Sequence, residues 1–346
     1  MKNKLKIIVL IITCSFFQGS CQQKNNTTMK MYEWTPTNTA PENYPVYIYK
    51  SYFTGADGSL IKTPDKRTIY YGWENIGSVY ISGEDIKSLP QKLSSSWFSL
   101  SEKKYYKIEI DLPIQKIDSL FDKGYVNPRT YNKETFNTIS YGIAPGGFIV
   151  IWLVGTSNRI EVYSGQGQVV EIDFKEMIPT TSLNQQDFTE MILKEQVEDS
   201  VLQEIKAGNI PYQRWHEYRK KYNWKIALTH QEDFKPEQAR VNMLNGEQDV
   251  QFFTKNIKRL LDNWAVPSST RIQWRDKDDN LIAAKILFEE KETIKAFETL
   301  FTGVNQNITL TAQIGRFNDT IKMILSNNEN EIELIKAKIK IYSKTD

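Results

Sequence analysis

The chain is poor in the residues that most catalytic and metal sites use. Its 346 residues include two histidines, His216 and His230, and two cysteines, Cys14 and Cys21. Two histidines leave a Ser-His-Asp triad few arrangements, and no G-x-S-x-G elbow, P-loop or H-E-x-x-H is present. The G-x-G of Gly165-Gln166-Gly167 lacks a third glycine and reads as a hairpin. Asp276, Asp278 and Asn280 match the first ligand positions of a calcium loop, but Leu281 and Leu287 stand where that loop needs Gly and Glu. Glu109 with Asp111 and Glu171 with Asp173 alternate as the solvated face of strands, not as a catalytic pair. We expect no cofactor, no metal and no catalytic residue. A large excess of either charge is also missing: Lys plus Arg number 44 against 42 Asp plus Glu. That balance excludes the broad basic field of a nucleic-acid binder.

Long apolar runs are missing too, apart from Ile7 to Phe17. That stretch falls short of the roughly twenty residues of a membrane span. Lys2, Lys4 and Lys6 precede it, as in a secretory signal. Gly19 and Ser20 then lead into Cys21, which resembles the lipobox of bacterial lipoproteins. Gln18 stands where Leu or Val is usual, a looseness similar to that of Bacteroidota lipoproteins. The resemblance implies a signal peptide over residues 1–20 and palmitate-bearing lipid on Cys21. A polar tether, residues 21–30, follows. It has no acidic run, so the expected location is the outer membrane, facing the periplasm. Cleavage would remove Cys14 and three lysines, taking the formal charge from +2 to about −1 and leaving no disulfide.

What is abundant is alternating and aromatic sequence. Residues 46–53, 105–112, 149–154 and 281–288 read as strands, and GADGS, SEKK and DKDDN as turns. Pro113 opens a helix that Gly124 closes. One longer helix is expected from Asn184 to Gly208, and HQEDFKPEQAR reads as a charged linker. The fold class is α+β: an antiparallel module over 31–230 and a smaller one over 231–346. Both run strand, strand, helix, then three strands. WFS corresponds to QWR, and IDSLF to FETLF, which suggests a divergent internal duplication.

Trp97 and Trp152 lie inside strand patterns and are expected in the core. Trp34 and Trp73, beside proline and glycine, are expected to be exposed or half-buried, as candidate partner-binding residues. The stretch PYQRWHEYRKKYNW reads as a short amphipathic helix closing the first module. Trp215, Tyr218 and Tyr222 form its stripe, a structural latch, with Arg219 stacked nearby, Glu217 paired to Lys221, and His216 on the surface.

APENYPVYI, GWENIGSVYISG, LPQKLSSSWFS and IPYQRWHEYRKKYNW together resemble the lipoprotein family catalogued as domain of unknown function 2931, over about residues 30–230. The resemblance transfers no catalytic residue. It implies an envelope protein, and some relatives look like immunity partners of secreted toxins. The leading reading is a non-enzymatic, lipid-anchored binding protein for a protein or glycan. An immunity-type inhibitor and a carboxylate-dependent hydrolase are the alternatives. Nucleic acid is not an expected partner.

Overall fold

The computed structural model describes residues 30–77, 84–301, 303 and 307–343. Cys21, the expected lipidation site, lies outside them. Among the described residues no helix is long and apolar enough to cross a membrane.

The first half begins with β1 (Met31–Glu33), β2 (Thr35–Thr39), β3 (Val46–Gly55) and β4 (Leu60–Lys62). Next come β5 (Ile86–Ser88), β6 (Pro90–Ser99), β7 (Lys104–Asp111) and helix α1 (Ile114–Lys123). It continues with β8 (Thr138–Ala144), β9 (Phe148–Val154), β10 (Arg159–Gln166) and β11 (Gln168–Val170). Gly124 ends α1 at φ +57°, where a side chain would also meet the Glu134 carbonyl. Strands β11-β7-β6-β3-β4 make one sheet, β2-β8-β9-β10 are one end of a nine-stranded sheet, and β1 pairs with β5 alone.

Alternation explains why strand β9 sits between layers. Ile149, Ile151 and Leu153 face the core between the two sheets. Phe148, Val150 and Trp152 face the other way, toward a helical layer that includes Met177, Leu193 and Trp215. Trp97 and Trp152 are fully buried, as the sequence suggests.

The helical layer consists of α2 (Phe174–Met177), α3 (Gln185–Gln196), α4 (Asp199–Lys206) and α5 (Arg214–Glu217). The single helix expected over 184–208 is broken between α3 and α4. Asn43 Oδ1 takes the Glu198 amide at 2.7 Å, and Val197 is extended, so the helical ladder stops there.

The second half runs β12 (Lys221–Tyr222), β13 (Trp224–His230), β14 (Lys235–Met243), β15 (Gln248–Phe252) and β16 (Trp264–Ala265). It goes on with β17 (Pro267–Arg275), β18 (Leu281–Leu287), α6 (Glu290–Leu300), β19 (Ile308–Ile314), β20 (Ile321–Ser326), β21 (Glu331–Glu333) and β22 (Lys338–Ser343). The stretch expected as a linker is thus mostly strand β14. Ala239, Val241 and Met243 alternate inward to the second core.

The strand order of the second half follows that of the first. Its sheets run β22-β18-β17-β14-β15 and β13-β19-β20-β21. In each half one pair is parallel, β2 with β8 and β13 with β19. Each half also has a short separate antiparallel pair, β1 with β5 and β12 with β16. The likeness reaches single side chains. Tyr32 packs on Phe121 at 4.9 Å between ring centres, and Tyr222 on Phe301 at 5.0 Å. Trp34 Nε1 donates to Ser88 O, and Trp224 Nε1 to Ala265 O.

The halves join where β10 meets β15, Arg159 opposite Gln248. A polar seam reinforces the joint. Asn158 Nδ2 donates to the buried Asp249 carboxylate at 2.9 Å, and Arg219 grips Glu161 through two nitrogens. Lys221 pairs with Glu247. Arg219 and Lys221 are therefore seam residues, rather than the stacking cation and the Glu217 partner that local spacing suggests.

Candidate functional site

A cleft of about 760 Å³ opens at the junction of the two halves. Tyr44, Trp73, Trp215 and Tyr218 line it from the first half, and Leu244, Glu290 and Lys291 from the second. Three of the aromatic residues singled out in the sequence are thereby brought together. The Trp73 and Trp215 rings are 5.5 Å apart, Trp215 and Tyr218 5.8 Å, and Tyr44 and Trp215 5.7 Å. Each of the four rings is less than a tenth exposed, so the floor is apolar and rigid.

Local sequence explains how the floor is set. Pro211 leads into the single turn of α5, which aims Trp215 and Tyr218 down onto the sheet. Chain reversal at Gly72, with φ +99°, delivers Trp73, and the Trp73 ring meets Trp152 edge-on at 5.0 Å. Trp152 in turn donates its Nε1 to Asn245 O at 3.2 Å, so the floor rests on a contact between halves. Trp215 Nε1 is buried in the wall with no hydrogen-bond partner among the described residues.

The rim is polar. It holds Glu42, Glu74, Glu204 and Glu290 against two cations, Arg214 and Lys291, and it adds Asn75, Ser200 and Asn209. The excess of carboxylate favours neutral or cationic ligands over anionic ones. Burial, and then the Glu290 carboxylate, hold the Tyr218 phenol well above its ordinary value, so it stays protonated. Arg214 bridges Tyr44 and Glu290. Glu74 accepts a hydrogen bond from Ser268 across the junction. Desolvation at the junction pushes its carboxyl up, with a small addition from Glu42, against the opposing pull of Ser268, Arg159 and Lys285. The side chain as a whole is exposed, so the water it keeps limits that effect.

Trp34 is elsewhere. It is 1% exposed beneath β5, where Lys87 caps its carbonyl at 2.7 Å. Expecting Trp34 and Trp73 to be exposed or half-buried is therefore a misreading, since both are buried. Proline and glycine neighbours mark irregular backbone, but the rings are buried by chain that returns from 54 residues away at Ser88 and from β9. Trp34 has no free face for a partner, whereas Trp73 reaches the cleft from below.

The proposed latch divides. Trp215 and Tyr218 close the first half, and Tyr222 packs in the second core on Phe297 and Phe301. The expected helix through this stretch is the four residues of α5, after which the chain is already strand β12. His216 is exposed, with its ring against Phe148.

Glu204, Asn209, Glu290 and Lys291 were not legible as site residues. They come from segments far apart in the chain, and each has an ordinary surface-helix or turn pattern. Tyr44, in APENYPVYI, carries no local signal that marks it as a site residue. Among the described residues, no group of His, Cys, Asp and Glu is arranged to hold a metal ion.

Comparison with known proteins gives one match. The family described as "Protein of unknown function (DUF2931)" matches residues 21–213, ending at the start of α5. No curated protein and no solved structure matches the chain. The chain belongs to the DUF2931 family.

Proposed function

We propose that the protein is a non-enzymatic, lipid-anchored envelope protein that binds a neutral or amino-bearing glycan in the cleft between its halves. The cleft itself carries this reading. Its size falls within the few hundred to about 1,000 Å³ of small-ligand sites, which favour domain junctions. An apolar floor suits the C–H face of a sugar ring. The carboxylate and amide rim offers the acceptors and donors that hydroxyl and ammonium groups need.

Anchoring through Cys21, on the periplasmic side of the outer membrane, is part of the same proposal. It rests on the signal-like N-terminus. The test is a glycan array probed with the full-length protein, carrying neutral, amino-sugar and uronic-acid oligosaccharides. Retention of neutral or amino sugars over uronic acids is expected; retention of none overturns the reading. Cleavage of a bound oligosaccharide would instead favour the hydrolase reading, for which Glu42 and Glu74 in one cleft are the specific observation.

We further propose that the halves are two descendants of one module, divided near residue 220. Matching sheet orders, the paired parallel strands and the repeated Tyr-x-Trp at 32–34 and 222–224 support this. The cleft then lies where the two copies meet.

A further inference from the structure

The outer face of the sheet β14-β17-β18-β22 carries an unusual row. Arg240 stands opposite Arg271, Arg271 opposite Lys285, and Lys285 opposite Lys340, each in direct cross-strand register. Like charges placed directly opposite destabilise a sheet. Among the described residues none of these four forms an ion pair. The neighbouring outward positions Gln238, Gln273, Asn242 and Ser269 carry no carboxylate, and the one on Glu237 is taken up by Arg275. Arg129 adds a fifth positive charge, close enough to help hold the Arg240 guanidinium below its usual value, after burial. Glu74 is the acid that feels Lys285, yet the two make no ion pair. The same face exposes Leu287 and Tyr342, each about two fifths accessible.

We propose that this face is a docking surface for an anionic phospholipid bilayer. A near-neutral chain that concentrates unpaired cations on one sheet face has a local field without a strong global one. Phosphate headgroups would remove the cross-strand repulsion that the fold otherwise bears. An acidic protein or a nucleic acid would also answer the charge. The bilayer is favoured because Leu287 and the Tyr342 ring share the face with the cations, the mixture that interfacial surfaces use. The inference does not depend on the cleft, whose rim keeps all its residues in the test below.

The experiment is co-sedimentation of full-length Cys21→Ser protein, which lacks lipid, with phosphatidylcholine vesicles and with vesicles that also contain phosphatidylglycerol. Each cation near an anionic surface is worth about 1 kcal/mol, or roughly fivefold in partitioning. Arg271→Ala, Lys285→Ala and Lys340→Ala combined should therefore lower partitioning into the anionic vesicles about a hundredfold. Partitioning into the neutral vesicles should not change. Binding of the Cys21→Ser protein should also weaken as salt rises. A variant with the same charge change elsewhere, Lys107→Ala, Lys194→Ala and Lys206→Ala, should bind like wild type. The charge-preserving set Arg271→Lys, Lys285→Arg and Lys340→Arg should retain binding, which separates lost charge from lost fold. Unchanged binding by the first triple variant overturns the proposal, as does an equal loss in the control triple. Capture of a single-stranded oligonucleotide without capture of vesicles overturns it in favour of a nucleic-acid ligand.

Discussion

Trp34 and Trp224 hold equivalent stations in the two halves. Each follows a tyrosine by two residues, and each indole Nε1 donates to the short strand that faces it. The bonds run to Ser88 O at 3.2 Å and to Ala265 O at 3.1 Å. Each Trp carbonyl is capped by a long cation, Lys87 at 2.7 Å or Arg259 at 2.6 Å. Trp34→Phe and Trp224→Phe should each cost about 2 kcal/mol, through a lost hydrogen bond and a void beside it. Urea unfolding followed by circular dichroism measures this. A change near zero in either variant would deny that the two indoles do equivalent work.

The junction between halves is packed closely around Trp152. A Cβ on Gly246 would lie 2.8 Å from the Trp152 ring, and Gly246 sits at φ +83°, where only glycine is comfortable. Gly246→Ala should cost about 1–2 kcal/mol from backbone strain alone, with the contact adding to it. Gly142→Ala has ordinary backbone, but its Cβ would meet the same ring at 2.6 Å. Overpacking of that kind costs about 1–3 kcal/mol. Thermal unfolding should show the larger loss for Gly246→Ala; equal stability to wild type in both would contradict the packing.

A turn supplies the pH dependence. Asp57 accepts hydrogen bonds from the Ser59 hydroxyl, the Ser59 amide and the Ser88 hydroxyl. These hold its carboxyl below its ordinary 3.8. A carboxylate whose folded value is depressed stabilises the fold above the unfolded value, and that contribution is lost as pH falls through the folded one. Protection of the Ser59 amide against hydrogen exchange should therefore persist at pH 5 and fade below 3.8. Asp57→Asn should show the faded level at both pH values. Protection that rises on acidification would reverse the sign and refute the assignment.

Anchoring is tested at one atom. Cys21→Ser should abolish palmitate incorporation and leave a protein that high salt releases from the membrane. Continued labelling of the variant would exclude Cys21 as the lipid carrier.

Local pattern disclosed much of the fold and little of the site. Helix α1 between Pro113 and Gly124, the 276–280 hairpin and the doubly buried β9 follow from spacing within a few residues. Strand β14 was hidden by its outer face: the Glu237, Gln238 and Arg240 side chains resemble a linker, and only Ala239, Val241 and Met243 disclose the period of two. Trp34 and Trp73 went astray for a different reason. Their burial is decided by Ser88 and Trp152, which no local window contains. The cleft was least legible, because its rim draws on separate segments of both halves and exists only once the two cores are docked.

The most direct test of the cleft as a ligand site is to fill it. Ser200 is exposed on α4 at the rim, so Ser200→Trp places bulk in the opening without disturbing a core. Calorimetric titration should be run with the best oligosaccharide from the array, on full-length wild type and on this variant. The expected result is an unchanged thermal midpoint with affinity lowered at least tenfold, about 1.4 kcal/mol. Equal affinity in the two proteins would contradict the account.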